Sequence, residues 1–238
     1  QSVSDPPPTP PLGPGDALVL RSIDNGATWT PVDLPALSEL HGVATNGPLW
    51  VAVGQTDAGD GAIITSTDVS LTWSVPAVVG VPGHLFNVAT DWAGNWVAVG
   101  TAEAPLQARI WYATGNNTLL ASNWTMVSSL GDGLFIGVAS DRTGGDFVAV
   151  GRRDGGGGFS RTFTPVTSFA GSFAASSYEL HEVATDLDGN WVAVGNDSAG
   201  GEMRTFTSTD VGATWNIVAD PDPGTTGILL GVAARVVA

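Results

Sequence analysis

The side chains of this chain that could do chemistry are carboxylates, arginines, three histidines and two tyrosines; cysteine and lysine are absent. Thiolate nucleophiles, thiolate metal sites and Schiff-base lysines are thereby excluded. Asn46, Asp91, Asp141 and Asp186 recur at equivalent points along the chain. Two such acids roughly 5–10 Å apart could hydrolyse a glycosidic bond. Asp and Asn are also the best turn openers, and repetition favours that role, because catalysis would single out two of them. Trp92, in the turn that Asp91 opens, is a candidate platform for a sugar ring. The loops Asp57 to Asp60 and Asn196 to Glu202 offer Asp57, Asp60, Asp197 and Glu202 as oxygen ligands. Calcium is thus the one cofactor the residue types leave open, although no EF-hand spacing is present. His41 and His181 occupy matching positions, where a zinc site would still need a third ligand. Arg109, Arg161 and Arg204 each stand two residues before an aromatic side chain.

The elements that must position these groups are written in a repeat. Gly42-Val-Ala-Thr…Trp50-Val-Ala-Val-Gly54 returns as Asn87…Gly100, Gly137…Gly151 and Glu182…Gly195, and a fifth copy opens at Gly231-Val-Ala-Ala. The copies start at 42, 87, 137, 182 and 231, intervals of 45, 50, 45 and 49 residues. Such a period belongs to radial or stacked repeat architectures, and no window carries the i, i+3, i+4, i+7 spacing of a helix. Each unit reads as four short strands. The first is a Val-Ala-Thr run such as Leu85 to Thr90. A turn follows, then an almost continuous apolar strand, Trp-Val-Ala-Val, of the kind buried on both faces. The third alternates, as in Ala62 to Ser66 and Met203 to Ser208, and the fourth carries threonine beside tryptophan, as in Thr72-Trp73, Trp124-Thr125 and Thr214-Trp215.

Four strands in about 45 residues is the blade of a β-propeller. The expected fold is all-β: a five-bladed β-propeller of four-stranded antiparallel blades over residues 17–238. Its last blade takes inner strands from the C-terminus and outer strands from Ala17 to Ser22 and Thr28-Trp29, which closes the ring. The fifth copy, Gly231-Val-Ala-Ala-Arg-Val-Val-Ala238, has a poor hairpin turn, so either Arg235 to Ala238 extends the inner strand or the second strand of the fifth blade is truncated. Residues 1–16 form a separate proline-rich extended arm with polyproline character.

Three hairpins carry a denser signature. They are Ser22-Ile-Asp24-Asn-Gly26-Ala-Thr28-Trp29, Ser208-Thr-Asp210-Val-Gly212-Ala-Thr214-Trp215 and Ser66-Thr-Asp68-Val-Ser70-Leu-Thr72-Trp73. The pattern Ser-x-Asp-x-Gly-x-Thr-Trp resembles the Asp box of sialidases and other bacterial-neuraminidase-repeat propellers. The resemblance implies structural roles for Asp24, Gly26, Trp29, Asp68, Trp73, Asp210, Gly212 and Trp215, on an outer rim away from the axis. It does not imply sialidase activity. That activity needs a Phe/Tyr-Arg-Ile-Pro element that is missing here, six blades, and a tyrosine helped by a glutamate. Tyr178 abuts Glu179, but neighbouring strand residues point to opposite faces.

Net charge is −15, with 23 acidic residues against eight arginines. A surface of that sign opposes nucleic acid and anionic membranes and favours solubility. No apolar run reaches membrane length. The opening at Gln1 reads as a mature secreted or cell-surface chain. With no catalytic set identified, the first expectation is a non-catalytic structural, self-assembling subunit. Its arm, through Gln1, Ser2, Val3, Ser4 and Asp5, would contact a neighbouring copy to give a homo-oligomer or polymer. A glycan-binding module using Trp92, Asp91, Asp141 and Asp186 comes second, and a propeller-type glycoside hydrolase third. Asn116, Asn123 and Asn196 lie in glycosylation sequons.

Overall fold

A computed structural model describes residues 17–34, 37–67, 72–74, 77–103, 106–115, 123–127, 131–142, 145–164, 170–175, 177–199, 201–218 and 226–234. The arm at 1–16 with its contact residues, Asp68 and the sequon at Asn116 lie outside these residues. Among the described residues the chain forms strands and turns and no α-helix. β1 (Val19–Arg21) and β2 (Thr30–Val32) make a two-stranded sheet. β3 (Glu39–Thr45), β4 (Trp50–Gln55), β5 (Asp60–Ser66), β6 (Ala77–Thr90), β7 (Trp96–Ala102), β8 (Gln107–Ala113) and β9 (Thr125–Val127) follow in one antiparallel sheet. Two four-stranded antiparallel sheets complete the set: β10 (Leu134–Ser140), β11 (Phe147–Arg152), β12 (Gly158–Phe163) and β13 (Ala170–Ala175), then β14 (Tyr178–Thr185), β15 (Trp191–Asp197), β16 (Met203–Ser208) and β17 (Asn216–Ile217).

The seven-stranded sheet is two repeat units sharing one strand. Residues 60–63 of β5 pair with 77–82 of β6, whereas residues 83–90 of β6 pair with β7. The first four copies of the repeat are therefore four units of four strands each. β1 and β2, near the segments expected as outer strands of a fifth blade, pair only with each other. Residues 226–234 hold to the fourth unit through a Glu202–Thr226 bridge and the Gly227 N–H on the Gly201 carbonyl, and they form no ladder.

The second strands β4, β7, β11 and β15 are buried almost throughout, as their unbroken apolar runs require. Val51 and Val53 pack on Leu85, Val88 and Trp96 of the next unit. Val97 and Val99 pack on Phe135, Val138 and Phe147. Val148 and Val150 pack on Leu180, Val183 and Trp191. Each unit thus covers the inner half of its successor.

Every inner strand carries one bulge at the same place, skipping His41, Phe86, Ile136 and His181 in the register. The extra residue bends the strand and drives its backbone onto the partner. That accounts for the glycine closing each Trp-Val-Ala-Val-Gly copy. A Cβ on Gly54, Gly100, Gly151 or Gly195 would lie 1.8–2.0 Å from a carbonyl oxygen of the inner strand.

Candidate functional site: the axial cavity

The C-terminal ends of β3, β6, β10 and β14 converge on one open cavity of about 470 Å³, which Ala234 of the fifth copy also lines. Thr45, Thr90, Ser140 and Thr185 end these strands in equivalent positions and face the same space. Their hydroxyls accept the N–H two residues on, from Gly47, Trp92, Arg142 and Leu187. All four of those residues have positive φ, between 60° and 98°. The turn is set by the residue between. Asp91 accepts the N–H groups of Ala93 and Asn95 on one oxygen and the Asn95 amide on the other, and Asp186 does the same with Asp188 and Asn190. Hydrogen bonding to Asn190 and Asp188 holds the Asp186 carboxyl below its ordinary range.

Of the residues expected at this mouth, Trp92 is the one whose side chain is offered to solvent, at 50 % exposure. Asp91 is 1 % exposed and committed to its own turn. Asp141 accepts the Asp146 N–H. The left-handed turn residues Trp92, Arg142 and Leu187 line the opening instead, with the Arg142 guanidinium 4.6 Å from the Trp92 ring centroid, in cation–π range. An indole, a guanidinium and a ring of occupied hydroxyls suit docking of a ligand face. They do not provide a general acid and base.

One step down the strands, Asn87 Nδ2 donates to Glu182 Oε2 at 3.2 Å, joining the second and fourth units across the third. Gly137 of that third unit leaves no room for a Cβ, which would stand 2.8 Å from Glu182 Oε1. Burial pushes the Glu182 carboxyl up, against the opposing effect of the Val183 N–H and the Asn87 amide. Sequence reasoning passed over this contact. Its signal was the first position of the repeat, glycine at 42, 137 and 231 but Asn87 and Glu182 in the other two copies. Arg142 and Leu187 were missed because the left-handed position is set by the turn rather than by residue type.

The two complete Ser-x-Asp-x-Gly-x-Thr-Trp turns are built alike. Asp24 accepts the Thr28 N–H at 2.9 Å and the Thr28 hydroxyl at 2.6 Å, and Asp210 does so with Thr214 at the same distances. Thr28 and Ser22 thereby hold the Asp24 carboxyl down to about 2. Gly26 and Gly212 supply positive φ. The tryptophans differ. Trp215 is 7 % exposed and its Nε1 donates to Ser160 of the preceding unit, whereas Trp29 is 58 % exposed and its Nε1 donates to Gly26 of its own turn. Trp73 is half-buried beside the Leu37 cluster.

The calcium candidates do not converge among the described residues. Asp60 is in the β5 ladder, Asp197 accepts the Ala199 N–H, and Glu202 pairs with Arg204. His41 and His181 do not meet, and His181 Nε2 lies 2.7 Å from Asn196 Oδ1. The expected arginine trio also divides. Arg109 and Arg204 oppose Gly100 and Gly195, but Arg161 opposes Ala149, two places along, because Phe159 takes the position facing Gly151.

No protein-family model and no curated protein matches the chain. Solved structures do. A chain of the nidogen/laminin complex superposes with a TM-score of 0.58 at 11 % identity, over 79 % of this chain and 68 % of that one. YCF48 bound to D1 peptide superposes with a TM-score of 0.54 at 16 % identity, over 84 % of this chain and 60 % of that one. Both are β-propellers. The fold of this chain is a β-propeller.

Proposed function

We propose that this chain is a five-bladed β-propeller of the Asp-box type. In this reading it is a non-catalytic, secreted structural subunit that joins its neighbours by strand addition at the fifth blade. The observation that carries this is a comparison of one repeat position. Val88, Val138 and Val183 are 4, 5 and 3 % exposed, each covered by the second strand of the preceding blade, while Val43 is 58 % exposed. Leu40 and Trp50 are only half-buried beside it, where Leu85, Leu180, Trp96 and Trp191 are buried. A groove of about 270 Å³ runs along this face, between Leu18 and Leu20 of the β1 hairpin and Leu40, Val43 and Trp50. In this reading the groove receives one strand. A strand entering there satisfies backbone groups at an open edge and covers the apolar side chains on both walls.

The arm offers a source for that strand. Residues 1–5 precede a proline-rich stretch that, as polyproline helix, would span about 3 Å per residue and let them reach a neighbour in place of their own blade. Both neighbouring structures contain propellers in complexes, one of them with a peptide. The test is light scattering on the intact chain, a chain lacking residues 1–15, and Val43→Glu. Assembly of the first and monomers of the other two, melting at unchanged temperature, are expected. A monomeric intact chain, or assembly that survives Val43→Glu, overturns the reading.

Trp92 under Arg142 favours a second reading, a lectin-like module with the axial mouth as its sugar platform. Glycan-array binding that Trp92→Ala abolishes would support it, and an array without hits would remove it.

A further inference from the structure

We propose a zinc site at the end of the inner strands opposite Trp92, formed by Glu39 and His41 of the first blade with His84 and Glu103 of the second. His41 Nε2 lies 3.0 Å from Glu39 Oε2, and His84 Nε2 lies 2.9 Å from Glu103 Oε1. One ligand atom from each of Glu39, His41 and His84 falls within 4.8 Å of the others, the only such set of three among the described residues. Donors around zinc, with bonds of about 2.0–2.2 Å, stand roughly 3.3 Å apart, close to the Glu39–His41 and His84–Glu103 separations of 3.0 and 2.9 Å, and Glu103 would join the set through His84.

Their placement follows from the repeat. Residue 41 is the bulge residue of the first inner strand, and its counterpart in the second is Phe86. Residue 39 is likewise the counterpart of His84. Two adjacent strands thus bring equivalent positions together. Phe86 stacks on the His84 ring at 5.8 Å and tilts against His41 at 5.6 Å, so both imidazoles rest on one aromatic surface. Gln55 Nε2 stands 3.3 Å from His84 Nε2 and is held by the Gly59 and Gly83 carbonyls. Two of the chain's three histidines are drawn here.

The chemistry selects the ion. With neutral imidazoles the four groups carry two negative charges, in a molecule of net charge −15, which draws a divalent cation. Two nitrogen donors with two carboxylates suit zinc and its neighbours in the transition series, whereas calcium and magnesium prefer oxygen alone. Both histidines and both acids remain partly open to solvent, so an ion can enter. Bound there, zinc would tie the first blade to the second. Sequence reasoning recognised His41 and lacked its partner, because His84 sits two places off in the repeat.

Isothermal titration of the chelator-treated protein with zinc chloride at pH 7.5 tests this. Saturable binding of one ion per chain is expected, weakened at least tenfold by His41→Ala and by His84→Ala and unchanged by His181→Ala. Cobalt in place of zinc should give the strong visible absorption of a four-coordinate ion, lost in the same two variants. Glu39→Gln and Glu103→Gln, at half-exposed positions, provide the same comparison if a histidine variant fails to fold. No saturable binding by about millimolar zinc would show the groups to be two separate ion pairs. That result overturns the proposal, as does binding that survives the changes at 39, 41, 84 and 103 or is lost with His181.

Discussion

Replacing each of the two matched tryptophans by alanine tests the reading of the fifth blade most directly. The two turns make the same aspartate–threonine hydrogen bonds at the same lengths, so a difference in cost comes from what the indole touches. A tryptophan buries up to about 250 Å². At 7 % exposure nearly all of that is hidden at Trp215. Large-to-small changes at such sites cost about 3–5 kcal/mol. The hydrogen bond to Ser160 contributes about 1 kcal/mol of this, and Ser160 keeps its own bond to the Gly212 carbonyl. Trp29, at 58 % exposure, hides roughly 100 Å², worth at most about 2.5 kcal/mol at ~25 cal/mol/Å². The expected costs are about 4 kcal/mol for Trp215→Ala and about 1–2 kcal/mol for Trp29→Ala in the isolated chain. Urea denaturation reads the gap as roughly 1 M in midpoint, for a slope near 2–3 kcal/mol/M. In an assembled sample Trp29→Ala should instead weaken association. Equal midpoint shifts in the isolated chain would mean that Trp29 is already covered, and the argument for an open blade would fail.

Gly151→Ala sets a Cβ 2.0 Å from the Leu134 carbonyl and should cost at least about 2 kcal/mol in denaturation, while Gly231→Ala, with nothing within 4 Å, should be neutral. Asp24 and Asp210 have carboxyls lowered by their threonine hydrogen bonds, so their contribution is present above the ordinary value of 3.8 and is lost as pH falls through the folded value, about 2 for Asp24. Asp24→Ala should accordingly be destabilising at pH 5 and less so at pH 2, by urea midpoint. Glu182 behaves in the opposite sense. Burial raises its carboxyl above 4.5, so stability linked to it is full below that value and is lost as pH rises through the folded value. Glu182→Gln, which can still accept from Asn87 and Val183, should raise the melting temperature at pH 7, and the gain should shrink toward pH 4.

The repeat made most of the strands readable in advance. The third strand over Met203 to Ser208 was placed with its observed limits, and the second strands began at the expected aromatic residues. The fourth strand was expected to carry the Thr-Trp pair; in the fourth unit the pair lies just before it, since Trp215 turns inward to the neighbouring blade and the ladder begins at Asn216. The bulges were not legible. The side chain at 41, 86, 136 or 181 gives no sign that its residue is skipped, although the glycine opposite is its trace. Contacts that join separate copies, Asn87 with Glu182 and His41 with His84, depend on how the ring of strands turns, and no local pattern records that. Arg109, Arg161 and Arg204 all stand in third strands, but Arg161 is two register places from the other two, because spacing to an aromatic residue does not establish register.

The shared strand β6 has a consequence for unfolding. Elsewhere one unit passes to the next through side-chain packing, which can part a little at a time. Between the first and second units a single backbone, hydrogen-bonded along both halves, is common property. Neither unit can fray without pulling on the other, so the two should exchange their amide hydrogens as one block. The open groove lies on the outer face of that block. A partner strand arriving there would meet two units that open together rather than one.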